Sequence, residues 1–324
     1  MIWLRRAIQL VITLFLVTFL TFMLTSLLPG NPAYVICGSS STQCVNEVTT
    51  RLGLNHSTIV QYWDWLKNLL TGNLGYSYTV GSTGTSNGVP ISTILSSSWQ
   101  VTVEEILYSQ VMALVVSIPL AMWAALRANK LFDRVSTTVS FGTLSLPPFI
   151  IAPLLVLLFT VKWSVFPGVG TQIPSLVSDP AQNLWDLTLP CMVLALTSIA
   201  VFQRLLRADM ITTLEEDYIV MARAKGLTTS RILFRHALRP STFTLMTVAG
   251  VQIGGLITGA VIVEYVFHIN GLGSVLTNAV SSHDYPVIQI VTVIVAVAYI
   301  VINLAIDSLY SVIDPRIRRA RASH

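Results

Sequence analysis

Apolar runs of about 20 residues recur along this chain, and a helix of that length matches the thickness of a bilayer's hydrocarbon core. They fall near residues 7–28, 103–126, 135–161, 187–206, 241–267 and 286–311. Inside lipid every backbone N–H and C=O must find its partner within the chain, so runs of this kind are expected as helices. Only 10% of the 324 residues are charged and 53% are hydrophobic, which leaves too little charge to wet the surface of a soluble domain. The expected fold class is therefore all-α, an integral membrane protein with about six transmembrane helices. The run at 103–126 is the least uniform, with Glu104, Glu105 and Gln110 near its start, and the run at 187–206 is short. Arg5 and Arg6 precede the first run as they would in a signal peptide. That run is too long for one, and Pro29-Gly30-Asn31-Pro32 follows it in place of a small-residue cleavage site, so it is read as a retained helix.

Basic residues set the expected orientation. With both termini inside, 16 Lys and Arg lie in cytoplasmic segments and only Arg51, Lys67 and Lys162 lie outside; reversing the topology reverses that ratio. The net charge of +4 is thus a topology signal, and no basic soluble face exists to take nucleic acid. The organisation that follows is a cytoplasmic N-terminus and first helix over 1–28, an external loop region over 29–102, and a core of five helices over 103–324. That core includes a long cytoplasmic loop at 207–240. Arg316, Arg318, Arg319 and Arg321 near the end form a cytosolic anchor suited to anionic headgroups.

Within 29–102, Trp63, Trp65, Leu66, Leu69 and Leu70 predict a short amphipathic helix near the interface, and the Gly/Ser/Thr-rich stretch from Thr71 to Gly88 predicts a loop or hairpin. The region is too small for a catalytic domain but sufficient for a docking platform or lid. It also holds Cys37 and Cys44, which an oxidising exterior allows to pair; two free thiols are the alternative. Cys191 reads as a small apolar residue of the fourth run. His56, His268 and His283 are isolated, and no metal site is expected.

The loop at 207–240 is the most informative stretch. Thr213-Leu214-Glu215-Glu216 has the spacing of a capping box, with Thr213 as N-cap and Glu216 three positions into the helix. Glu215, Glu216 and Asp217 put negative charge on the first turn, Arg223 and Lys225 put positive charge on the last, and Gly226 supplies a stop. The predicted helix runs from Leu214 to Lys225. A second, beginning at Thr228 or Thr229, carries Ile232, Leu233, Phe234 and Leu238 toward Pro240, with Arg231, Arg235 and Arg239 on its wetter stripe. Two short helices meeting at a glycine serve either as a basic surface on anionic lipid or as a docking element for a cytosolic protein. Packing acidic, apolar and basic patches into one rigid turn suits docking better.

These residues carry a family resemblance. Met221-Ala222-Arg223-Ala224-Lys225-Gly226-Leu227, followed by His236-Ala237-Leu238-Arg239, resembles the coupling loop of ABC importer permeases, and most closely the B-type subunit of the oligopeptide and dipeptide branch. Against the general family pattern this chain keeps Ala222 and Gly226, has Val220 and Met221 where Glu and Ala are usual and His236 where Ile is usual, and places Pro240 one position late. Pro29-Gly30-Asn31-Pro32, Gly72-Asn73-Leu74-Gly75-Tyr76-Ser77, Glu264-Tyr265-Val266-Phe267 with Gly271-Leu272-Gly273, and Asp314-Pro315-Arg316 resemble further motifs of that branch in the same order.

The resemblance implies a type I importer permease in a bacterial plasma membrane, working by alternating access. An external binding protein would deliver short peptides, a homologous second permease would complete the path, and two cytosolic ATPase subunits would grip the coupling loops. Glu216, Ala222, Arg223, Ala224, Lys225, Gly226 and Leu227 would form this chain's part of that contact. No Gly-x-x-x-x-Gly-Lys-Ser/Thr loop occurs in the chain, so ATP and Mg would be used by the partner subunits and no cofactor is expected here. Nickel or oligosaccharide uptake by a similar permease is the alternative within the class.

Outside the loop, Gly250, Gly254, Gly255 and Gly259 permit close helix packing, either within the subunit or against the partner permease. Gln252 and Thr258 on the same helix are candidates for lining the pathway or for bonding to a neighbouring helix. Glu264 is a costly carboxylate near the external end, a candidate functional group or a cap for the loop after it. Asn303 and Asp307 lie toward the cytoplasmic side of the last run. A gradient-driven transporter would place more charge near the midplane, and an enzyme would need convergent acids, bases or metal ligands. Neither pattern is present.

Overall fold

The computed structural model describes residues 2–27, 32–37, 42–51, 53–77 and 88–313, and over these it is almost wholly helical. The helices, in chain order, are α1 (Ile2–Ser26), α2 (Pro32–Cys37), α3 (Thr42–Arg51), α4 (Thr58–Leu70), α5 (Ile91–Leu126), α6 (Leu131–Ser145) and α7 (Pro148–Leu155). They continue with α8 (Pro180–Leu214), α9 (Asp217–Ala224), α10 (Thr229–Arg231), α11 (Leu238–Phe267), α12 (Leu272–Ser281) and α13 (Tyr285–Ile313). Two π-helical stretches, Val156–Lys162 and Ile232–Ala237, extend α7 and join α10 to α11. Among the described residues five helical stretches are long and apolar enough to cross a membrane: Ile8–Ser26, Ile91–Leu126, Pro180–Leu214, Thr229–Phe267 and Tyr285–Ile306. A sixth is the bent pair Leu131–Ser145 and Pro148–Lys162.

Three spans depart from their expected form. The run at 135–161 is not one helix: its two halves meet at 107°. Pro147 and Pro148 cause this, because proline sterics push each preceding residue into extended backbone, and Leu146 (ψ 121°) and Pro147 (ψ 150°) both adopt it. The span expected from 103 begins at Ile91, inside the segment read as external loop. The short run at 187–206 is the middle of a 35-residue helix. Pro180 stands in that helix's first turn, and the Asp179 side chain accepts from Gln182 N at 3.1 Å, so the sequence Asp-Pro marks its true start.

The chain divides into two compact units, residues 1–102 with 270–301, and residues 103–269 with 302–324. In the first, α4 is the amphipathic helix expected around Trp63, and it packs on α1 through Tyr62. The Tyr62 ring is 1% exposed and lies edge-on to Phe19 and Phe22 at 5.4 and 5.6 Å, while its hydroxyl is 3.1 Å from Thr18 Oγ1. Tyr76–Ser77 and Val89–Pro90 pair antiparallel, so of the loop or hairpin expected for the Gly/Ser/Thr-rich stretch the ends form a short ladder, and residues 78–87 lie outside the described ones. Ser77 Oγ donates to Asp284 Oδ2 at 2.6 Å, and Thr102 Oγ1 accepts from Leu272 N at 2.8 Å. A core of Ile91, Leu95, Leu272, Tyr285 and Val291, flanked by Trp65 and Leu69, fills the remainder.

The second unit is built on α8, with α6, α7 and α11 against it. Its core joins Ala113, Ala121 and Met122 of α5, Phe202, Leu206 and Met210 of α8, and Leu245 and Ala249 of α11. Glycine lets α11 come close: a Cβ on Gly259 would sit 2.9 Å from Leu194 Cδ2, and one on Gly250 would sit 3.0 Å from Ile306 Cγ2. These two glycines therefore serve packing within the subunit. Gly255 meets nothing within 4 Å.

Candidate functional site

The connection between α8 and α11 is a bent helical element, α9 and α10 joined by a turn at Gly226. The helix expected from Leu214 to Lys225 is shorter: α8 continues through Leu214, and α9 starts only at Asp217. The capping box does not form. Thr213 lies within the last turn of α8, where its Oγ1 is 3.4 Å from Ser241 Oγ, and Glu216 is itself the N-cap of α9, with no side-chain cap bond. Tertiary burial decides this, since Leu206 and Met210 carry the buried stripe of α8 past the point where local capping would have begun a new helix.

The end of α9 is as the glycine predicts. Gly226 has φ +76°, its N–H donates to the Arg223 carbonyl at 2.9 Å, and Leu227 N donates to the Ala222 carbonyl at 3.3 Å. That pair of bonds is the Schellman closure, which needs a left-handed residue where Gly226 stands. Ile219 and Ala222 turn one side of α9 onto Ile232, with Leu214 and Leu227 around them. The opposite side is open: Val220 and Met221 are exposed apolar groups, and Glu216, Arg223, Ala224 and Lys225 are exposed beside them, while the half-exposed Tyr218 flanks this side and turns its hydroxyl toward the second arm. Beyond the turn, Phe234 is 62% exposed, and Arg231, Arg235 and Arg239 line the solvated stripe as expected. The second helix, expected to run toward Pro240, continues through it into α11, so Thr229–Phe267 is one stretch.

The candidate pathway residues do not converge. On α11, Gln252 is half-buried, Gly254 is buried, Thr258 is exposed and Glu264 is wholly buried. The carbonyl of Glu264 accepts from Ile269 N at 2.9 Å and so closes the end of the helix. Its electrostatic partner is Glu105, which the sequence marks only as an irregularity of its span. Glu105 of α5 is also 0% exposed, interacts electrostatically with Glu264, and has no hydrogen-bond partner on either carboxylate oxygen. Cys191 of α8 is beside them, its Sγ 3.5 Å from the Glu105 carbonyl. Only the third dimension pairs these two acids, because 159 positions separate them in the chain. Cys37 is disulfide-bonded, and the side chain of Cys44 lies outside the described residues, as does that of Asp307. No cluster of three or more His, Cys, Asp or Glu that would hold a metal occurs among the described residues.

Five apolar spans among the described residues, or six with the bent pair, and a helical turn set between two of them define a multi-pass membrane protein. The family described as binding-protein-dependent transport system inner membrane component matches residues 117–319, and its N-terminal companion matches residues 1–86. The chain belongs to this family: it is a permease component of the inner, or plasma, membrane. It is 34% identical over 316 residues to the probable peptide ABC transporter permease protein y4tP of Sinorhizobium fredii, covering 97% of this chain and 98% of that one. It is 36% identical to the di/tripeptide transport system permease protein DppB of Pseudomonas aeruginosa, covering 98% of each. The glutathione transport system permease protein GsiC of Escherichia coli is 33% identical, over 97% of each chain.

Proposed function

We propose that this chain is one of two permease subunits in an ATP-driven importer of short peptides. The observation that carries this reading is the turn at Gly226, which presents an open apolar side edged by charge at the junction of two membrane-spanning helices. Near full-length likeness to permeases named for peptides, dipeptides and glutathione supports the substrate class. In this reading α9 and the glycine turn after it dock on a cytosolic ATPase subunit through Glu216, Arg223, Ala224, Lys225, Gly226 and Leu227, with Ala222 beneath them seating α9 on Ile232. A homologous permease, two ATPase subunits using ATP and Mg, and an external binding protein complete the assembly.

The Lys and Arg distribution supports cytoplasmic termini, with 1–28 as the first segment, 29–102 largely outside, and 103–324, including the loop at 207–240, as the core. Cys44 is the proposed partner of Cys37, since Cys191 is free and buried and the chain has three cysteines. Gln252, Gly254 and Thr258 are proposed to border the path or the partner permease. The complete burial of Glu264 and Glu105 supports a place inside the subunit rather than along that path.

The test is to tag this chain, express it with its chromosomal neighbours, and purify it into lipid. Recovery of a second permease and ATPase subunits, with ATPase activity raised by binding protein plus peptide, is the expected result. Recovery of this chain alone, transporting without ATP, would sink the reading.

A further inference from the structure

Pro240 stands in the first turn of α11, within the continuous stretch from Thr229 to Phe267. A proline in that position has no N–H for the carbonyl four residues back, which is that of His236, and its ring presses against the same carbonyl. The helix widens just before it, with Ile232–Ala237 in π-helical turns. The carbonyl that Pro240 cannot serve is met from the other arm of the element: the Tyr218 hydroxyl donates to His236 O at 3.3 Å. One residue on, the Ala237 carbonyl accepts from Ser241 Oγ at 3.0 Å.

This bond does something the apolar contact beneath α9 does not. Ile219 and Ala222 against Ile232 hold α9 at a fixed separation, but a small apolar patch is non-directional and leaves a two-turn helix free to roll. The far end of α9 is the glycine turn, where the backbone bonds close within α9 itself and Leu227 adds only further apolar contact. Tyr218, at the opposite end, supplies a directional contact.

We propose that Tyr218 is a positioning residue of the coupling element: by bonding the carbonyl stranded by Pro240, it fixes the rotation at which α9 is presented to the ATPase subunit. The proposal rests on the coupling reading given above. Without the hydroxyl, α9 rolls on its apolar contact, and movement of the ATPase is transmitted to α8 and α11 with slip.

The experiment uses the whole complex in proteoliposomes and an equimolar pool of di- to pentapeptides followed by mass spectrometry. It reads peptide imported per ATP hydrolysed for the wild type, Tyr218→Phe, Pro240→Ala, the double variant and Gly226→Asp. Phe keeps the ring and removes only the donor, so the ratio falls roughly two- to tenfold, the range one net hydrogen bond spans. In the Pro240→Ala background the restored backbone N–H serves His236 itself, and Tyr218→Phe then costs nothing further. That rescue is a response a merely structural tyrosine would not show. An unchanged ratio in Tyr218→Phe beside a lowered one in Gly226→Asp overturns this proposal and leaves the coupling reading standing. An equal loss from Tyr218→Phe with and without Pro240→Ala also overturns it. A full ratio in Gly226→Asp removes the coupling reading and this proposal together.

Discussion

Arg207 of α8 closes on both carboxylate oxygens of Asp133 in the first turn of α6, and the backbone N–H of Asn129 adds a third donor at 2.7 Å. The same seam continues along both helices, with Ser140 Oγ donating to Gln203 Oε1 at 2.9 Å and Gln203 Nε2 reaching Ser136 Oγ at 3.4 Å. It ties α6 to the end of α8 from which the proposed coupling turn departs.

Arg207→Met should therefore destabilise the protein by about 1.5–3 kcal/mol, since it strips a charged hydrogen bond from a carboxylate that is 3% exposed. Adding Asp133→Asn should recover part of that loss by removing the stranded charge. Thermal unfolding of the four proteins in detergent checks this. Additive losses would mean that the two residues do not act as a pair.

Gly226 separates backbone strain from crowding. Its φ of +76° disfavours any side chain, yet no atom lies within 4 Å of where a Cβ would stand. Gly226→Ala should cost about 1–2 kcal/mol, Gly226→Asn less, and Gly226→Val most, following tolerance for left-handed backbone and not side-chain volume. Unfolding midpoints ranked by volume instead would contradict the assignment.

Much of the architecture was legible in the apolar runs, and Gly226 was legible as a helix stop because a left-handed closure is a local requirement. The amphipathic α4 was likewise readable from neighbouring residues alone, whereas the Gly/Ser/Thr-rich stretch left loop and hairpin open and only the fold pairs Tyr76–Ser77 with Val89–Pro90. Other features needed the fold. Pro147-Pro148 carried a local break signal, but the apolar run continued through it and read as one span. Thr213 and Glu216 had the right spacing for a capping box, yet burial of Leu206 and Met210 extended α8 across that site. Glu105 with Glu264, Asp133 with Arg207, and Tyr218 with His236 are meetings between separate helices, and no residue spacing announces them.

The glycines of α11 divide in the same way. Gly259→Leu should lower stability by roughly 1–3 kcal/mol, because the Leu194 side chain already occupies that space. Gly255 is exposed and opens on nothing within 4 Å, so Gly255→Leu should leave the unfolding midpoint of this chain unchanged. If that surface meets the second permease, the same variant should reduce its co-purification. Retained pairing in Gly255→Leu would move the interface elsewhere.

Peptide uptake into proteoliposomes holding the complete complex, measured with and without ATP, decides whether this chain works as the permease of an ATP-driven importer. Wild-type complex should import peptide only with ATP and binding protein present, and Arg223→Glu should hydrolyse ATP while importing little. Import that proceeds without ATP would rule out an ATP-driven permease, and import at full rate in an Arg223→Glu complex that inserts normally would rule out coupling through α9.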